Sequence, residues 1–197
     1  MQIQVKSSNG ITLVPLTSKL MSERKVFLEG AITQEVACEF VHKIMFLTYE
    51  DRKRPIDVLI NSPGGEITAG LLIYDTIQTS RTPIRTFCIG EAYSMAAILM
   101  ASGKHGRYIL PNSMMMLHEP LVGAPISGNS SSIHSISESL LKTKQMMKAI
   151  LAKHTGKTED EIEKEMSYDH FYTAKEAVSA RLADNVITFD DIMDMEG

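Results

Sequence analysis

Apolar positions along this chain change their spacing from one segment to the next. KVFLEG (25–30) is a short apolar run closed by glycine, and IDVLIN (56–61) and IRTFCIG (84–90) are longer, nearly continuous ones. Runs of that kind suit strands covered on both faces. Between them, from Thr33 to about Thr48, Val36, Phe40, Ile44 and Leu47 recur at helical spacing and mark one buried face. SPGG (62–65) reads as a turn and EITAGLLIYDTIQTS (66–80) as a helix. GEAYSMAAILMASG (90–103) turns the end of a strand into another helix, and RYIL (107–110) is a short strand. PNSMMMLHEP (111–120) is extended and apolar, with Pro120 keeping His118 and Glu119 out of helical geometry.

LVGAPISGNSSS (121–132) is rich in Gly, Pro and Ser and predicts a loop or an irregular edge strand. The longest helix is expected from Ile133 to about His154. Ile133, Ile136, Leu140, Met147 and Leu151 share one stripe, Lys144 interrupts it, and Gly156 ends the helix. A helix over Thr158–Glu165 carries acidic residues in its first turn, where the helix dipole favours them. TAKEAVSAR (173–181) is a last short helix, VIT (186–188) a last strand, and DDIMDMEG an acidic tail. No repeat is visible. Strand-then-helix units in succession predict an α/β domain, and 197 residues are enough to bury one core as a single domain over 1–197.

Composition narrows the function classes. A formal net charge of -4 without a basic block argues against a nucleic-acid partner. The longest apolar stretch, Ile84 to Leu99, is broken by Arg85, Gly90 and Glu91, so no bilayer span is expected and no membrane partner. Met1 leads into polar QIQVKSSNG, with no visible signal or transit peptide. Cys38 and Cys88 lie in apolar segments and read as buried thiols, which together with the rest points to the cytoplasm.

Chemistry gathers around Ser94. It reads either as a helix N-cap, its hydroxyl accepting from a first-turn N–H, or as a nucleophile. NSPGG and GEAYSMAA both end a buried strand and begin a helix. Glycines there let the backbone approach a ligand. Amides of Gly64 and of Met95, at helix starts, could hold an oxyanion, although SPGG is equally a tight turn. A serine needs a base in reach. Of six histidines, His42, His105, His134, His154 and His170 read as solvated surface residues. His118, in an extended apolar segment, reads as either a base or a core histidine bonded to carbonyls. Asp169, in SYDHFYTA, is either the carboxylate that orients an imidazole or a turn residue. The order Ser94, His118, Asp169, without a G-x-S-x-G elbow, differs from that of α/β-hydrolases.

INSPGGEITAGLLIYDTIQ (60–78), GEAYSMAA (90–97), MLHEP (116–120) and YDHFYTAKEA (168–177) resemble the signature blocks of the ClpP family, the proteolytic subunits of Clp proteases. The likeness runs from about residue 12 to 188. It implies a crotonase-like, ClpP-like α/β spiral of ββα units with an axial N-terminal segment (about 1–16) and a long handle helix (handle region about 121–155). It implies Ser94 as nucleophile, His118 as general base, Asp169 as its orienter, and Gly64 and Met95 as oxyanion donors. An extended substrate would pair with Gly65, Glu66 and Ile67 on one side and Leu121, Val122 and Gly123 on the other. No cofactor or metal is implied. The partners implied are further copies of the chain in heptameric rings stacked as a tetradecamer, a second ClpP isoform in mixed rings, a AAA+ unfoldase, and unfolded protein substrates. The chain itself has no G-x-x-x-x-G-K-[ST] loop for ATP.

Three departures stand out. Ser132 and Tyr168 occupy positions where the family carries an aspartate and an arginine that pair across the ring interface. Ring contact would then rely on groups such as Ser130 to Ser132 and His134, and a dormant or structural ring subunit becomes the alternative function. Arg181 stands where the family has a glycine, so the helix cap there must differ or be strained. The segment before Ser8 to Thr12 is short, which implies little self-processing.

Overall fold

The computed structural model describes residues 1–7, 10–121, 123 and 127–195. Two parallel-sheet strands flank the first long helix: β3 (Lys25–Glu29), α2 (Gln34–Glu50) and β4 (Ile56–Ser62). Before them come a hairpin of β1 (Gln2–Ser7) and β2 (Gly10–Pro15) and a short helix α1 (Leu16–Ser22). These three precede the first sequence-predicted strand and were not expected; β2 is exposed at five of its six positions, so no buried period betrays it. After β4 follow α3 (Ile67–Thr79), β5 (Ile84–Tyr93), α4 (Met95–Ala101), β6 (Arg107–Ile109) and β7 (Met114–Leu117). The chain closes with α5 (Ser130–Thr155), α6 (Glu159–Met166), β8 (His170–Thr173), α7 (Ala174–Ser179), β9 (Asn185–Val186) and α8 (Phe189–Asp194).

The strand order is β3-β4-β5-β6-β9, and β5 is the branch point. Its first half pairs with β6 at Thr86–Cys88, and its second half pairs with β7 at Glu91–Tyr93. All pairs in this sheet are parallel except β7 with β8. The fork opens where the β4–β5 register shifts between Ile60 and Ser62. There the Asn61 side chain presses on Gly90, where an added Cβ would lie 2.4 Å from Oδ1, and it accepts from the Glu91 N–H at 3.2 Å.

The main core packs one sheet face against α2, α3 and α4, with Val58, Ile60, Ile73, Cys88 and Leu99 inside it. The opposite face carries Leu59 and Phe87, and Ile192 of α8 covers them. The tail expected as an acidic extension is therefore a helix. Thr188 and Asp191 form its capping box, and buried Lys25 donates to the Ile192 carbonyl at 2.8 Å. Lys25 and Arg85 meet Asp57 between them, at 3.2 and 2.6 Å. Thus β4 is covered on both faces, as its unbroken apolar run requires. Cys38, in contrast to expectation, is exposed on α2, while Cys88 is buried.

Two arginines gather loose carbonyls. Arg24 donates to the carbonyls of Leu47, Asp51, Arg54 and Pro55 behind α2. Arg107 reaches those of Ala101, His154 and Arg181 at the ends of α4, α5 and α7. Among these, the Ala101 and His154 carbonyls belong to the last turns of α4 and α5, which helix ends leave without a helical partner, while those of Arg54 and Pro55 lie in the loop before β4. Arg181 itself has φ 61, the left-handed cap that its replacement of glycine implied. Helix α5 starts three residues before the expected Ile133. Asn129 caps it by accepting from the Ser132 N–H at 2.9 Å and the Ser132 hydroxyl at 3.0 Å. Only its C-terminal part is buried, through Met147, Lys148, Leu151 and Thr155; Ile133, Ile136 and Leu141 are exposed.

Candidate active site

Ser94 joins β5 to α4 with φ 55 and ψ -122. A non-glycine residue held at such an angle costs about 1–3 kcal/mol, and residues of this kind concentrate at functional sites. Its hydroxyl makes no cap hydrogen bond, although Ser94 occupies the N-cap position. The capping explanation therefore fails on geometry. The backbone is pinned: the Ser94 N–H donates to Met116 O at 2.8 Å, and its carbonyl accepts from Ala97 and Ile98.

SPGG folds directly beneath. A Cβ on Gly64 (φ 93) would lie 2.7 Å from Tyr93 O, 2.8 Å from Ser94 Cβ and 3.1 Å from Met95 N. Only glycine permits that approach. The Gly64 amide, however, donates to Ser62 Oγ at 3.1 Å, and that hydroxyl donates to Gly30 O at 2.6 Å. Gly65 is different. It forms a parallel bridge with Ile32 through its neighbours' groups, Gly64 O and Glu66 N, both at 2.8 Å. Its own N–H therefore faces away from Ile32, and Gly65 lines the same cavity as Ser94. Met95 begins α4, where first-turn amides lack helical partners. Its side chain is locked against Gly70, where a Cβ would fall 2.2 Å from Met95 Cγ.

His118 and Asp169 arrive from the β7–β8 ladder. Its pairs run Met114↔Thr173, Met115↔Tyr172, Met116↔Phe171 and Leu117↔His170. The ladder ends there, with His118 the next residue after one strand and Asp169 the residue just before the other. Since β7 also pairs with β5 up to Tyr93↔Met116, the residues after both strands emerge together, Ser94 from one and His118 from the other. Tyr93 and Phe171 lock this corner edge to face, with ring centroids 5.7 Å apart. Ser94 and His118 both line a cavity of about 120 Å³, with Ile67, Ile98, Leu117, Leu121, Met147 and Met166 as its apolar wall. Asp169 is exposed and outside that wall. Among the described residues no hydrogen bond joins the three side chains in the isolated chain.

The Clp protease family model matches residues 8–190. The chain belongs to the Clp protease family. It is a ClpP-type peptidase chain with the mixed α/β, mostly parallel architecture of that family. Membership of the Clp family implies a ring-forming subunit that works with Clp ATPases. Among the described residues no helix is long and apolar enough to cross a membrane.

Measured against the ClpP signature blocks, the expected substrate segments divide. Gly65, Ile67 and Leu121 line the cavity; Glu66 and Gly123 are exposed away from it; Val122 lies outside the described residues. Ile98, Met147 and Met166, which the sequence does not mark as site residues, complete the wall. Two histidines expected on the surface are not free there. His154 is half-buried, meets the Tyr74 hydroxyl at 3.0 Å, and burial pushes it down to about 4. His170 stacks between Tyr168 and Tyr172, with centroids at 5.3 and 4.2 Å. Tyr168 is thus engaged within its own chain.

Proposed function

We propose that this Clp protease subunit is a serine endopeptidase that cleaves unfolded chains inside a double-ring chamber fed by a AAA+ unfoldase. The observation that carries the reading is Ser94: a strained, uncapped serine at a strand-to-helix turn, sharing a cavity with His118. In this mechanism Ser94 Oγ attacks the peptide carbonyl as His118 takes its proton. His118 then returns the proton to the leaving amine, and the same steps with water release the acyl group. Asp169 holds the imidazole tautomer and offsets the imidazolium charge. Met95 supplies one oxyanion amide. The second is assigned to Gly65 rather than Gly64, because the Gly64 N–H is already committed to Ser62. Extended substrate pairs with the segments at Gly65–Ile67 and from Leu121 on, which favours sequence-independent cleavage.

A second reading has its own support. The three side chains are not hydrogen-bonded in the isolated chain, and Ser132 and Tyr168 replace the charges that the family uses across rings. Such a subunit would gain its alignment only on assembly with a second isoform. Catalytic hydrogen bonds are often loose before substrate binds, so the first reading stands as the conclusion. Hydrolysis of a fluorogenic peptide by the purified protein, lost in Ser94→Ala and in His118→Ala, supports it. Hydrolysis that survives Ser94→Ala refutes it, and activity that arises only on mixing with a second ClpP-type chain selects the alternative.

A further inference from the structure

The strands fix the chain as far as Leu117, and the next four residues are held quite differently. From His118 to Leu121 no backbone hydrogen bond anchors the segment among the described residues, and Pro120 has no N–H to offer. Yet His118, Glu119, Pro120 and Leu121 all wall the cavity. Among the described residues the polar tether of this segment is Glu119. Lys144 Nζ, from α5, donates to its Oε1 at 2.7 Å. Lys144 also meets Glu163 Oε1 of α6 at 2.9 Å, and Glu163 Oε2 accepts from Lys148 at 2.7 Å. The Lys148 side chain is only 9% exposed, so the far end of this chain of charges is fixed in the packed body.

We infer that Glu119 is a positioning residue: gripped by Lys144, it sets the adjoining His118 beside Ser94 and ties the base to the placement of α5 and α6. The inference rests on the serine-peptidase reading. It explains why a lysine interrupts the apolar stripe of α5. One turn nearer the core, Met147 of the same stripe lines the cavity, so at this point the stripe faces the site. The pairs satisfy two cations and two carboxylates among themselves. The carboxylates hold the Lys144 ammonium above its ordinary range, and the two lysines bring the Glu163 carboxyl down to about 2. With side chains 22%, 39% and 44% exposed at Lys144, Glu119 and Glu163, the network adds little to global stability. Its consequence lies in geometry, because a displacement near 1 Å of a catalytic group can cost about 100-fold in rate.

The test compares Lys144→Met, Lys144→Arg, Glu119→Gln and Ser94→Ala on a small fluorogenic peptide, with ring assembly checked for each. Lys144→Met is expected to lower kcat about 10-fold or more with KM within about 2-fold, since the group lost acts in the transition state and not on substrate affinity. Lys144→Arg retains both ion pairs and restores most of kcat. Added salt should slow the wild type and leave Lys144→Met unchanged, because screening acts on the partly exposed pair. If Lys144→Met fails to fold or assemble, Glu119→Gln carries the test, as it leaves Lys144 paired with Glu163; a fall in kcat at constant KM is then required. An unchanged kcat in the folded variants, a loss confined to KM, or an arginine variant as poor as the methionine one overturns the inference. If Ser94→Ala retains hydrolysis, the serine reading falls and this inference with it. If Ser94→Ala is dead while Lys144→Met is normal, the inference falls alone.

Discussion

Gly64 and Gly30 make a controlled pair for testing how tightly the turn is built around Ser94. Both have positive φ, 93 and 70, but a Cβ on Gly30 would meet nothing within 4 Å. On Gly64 it would meet Tyr93 O at 2.7 Å and Ser94 Cβ at 2.8 Å. Ordinary contact begins near 3.4 Å, so the turn must open by roughly 0.7 Å. The neighbours cannot give cheaply: Tyr93 is paired with Met116, and the Ser94 N–H is bound to Met116 O. Alanine in a left-handed conformation costs about 1–2 kcal/mol at either site. At Gly64 overpacking adds about 1–3 kcal/mol. Chemical denaturation should therefore show Gly64→Ala less stable than Gly30→Ala by about 1–3 kcal/mol. Peptide hydrolysis should separate them further: about 100-fold lost in Gly64→Ala, from displacement of the hydroxyl and the adjacent amide, and near wild-type rates in Gly30→Ala. Equal stability and equal activity in the two variants would refute the packing argument.

Other consequences are measurable. His154 is held neutral in the fold, at about 4 against an ordinary 6.5, so the unfolded chain binds its proton first and stability falls as pH drops from 6.5 toward 4. With a half-buried ring, about 1–2 kcal/mol of that fall belongs to His154 after solvent screening, and His154→Gln should flatten the melting temperature over that range. Asp57→Ala leaves Lys25 and Arg85 without their shared carboxylate and should cost about 3–5 kcal/mol in urea unfolding; a loss under about 1 kcal/mol contradicts the buried-charge reading. Arg181→Gly relieves the left-handed cap and should gain about 0.5 kcal/mol, since the relief exceeds glycine's added chain entropy; a clear loss of melting temperature would show that its side chain matters more than its φ.

Much of the sheet was legible because its strands are long apolar runs and its helices carry period and caps. Thr33, Thr158 and Thr173 each accept a hydrogen bond from the third residue of the helix they begin. Helix α8 is hidden in the sequence because four of the tail's eight residues are acidic, which conceals the burial of Ile192. A capping signal, Thr188 with Asp191 three residues on, was nonetheless present. The exposure of Cys38 is hidden for a related reason: an apolar neighbourhood on an amphipathic helix does not say which face a residue takes. At the site, Ser94 and His118 were found through their motifs. Their meeting depends on β7 pairing with β5 on one edge and β8 on the other, which four-residue strands do not announce. The choice between Gly64 and Gly65 turns on the direction of two N–H groups, one held by Ser62 within the same turn and the other turned away from Ile32 of a distant segment. Glu119 and Lys144 left one trace, a charge on an apolar stripe.

Whether Ser94 carries an activated hydroxyl can be read from one mass spectrum. The assembled protein is treated with a fluorophosphonate, digested, and its adduct mapped. A single adduct on Ser94, absent in His118→Ala, is the expected result. An adduct on another residue, or an unmodified Ser94 in every assembly state, would contradict the peptidase mechanism proposed for this chain.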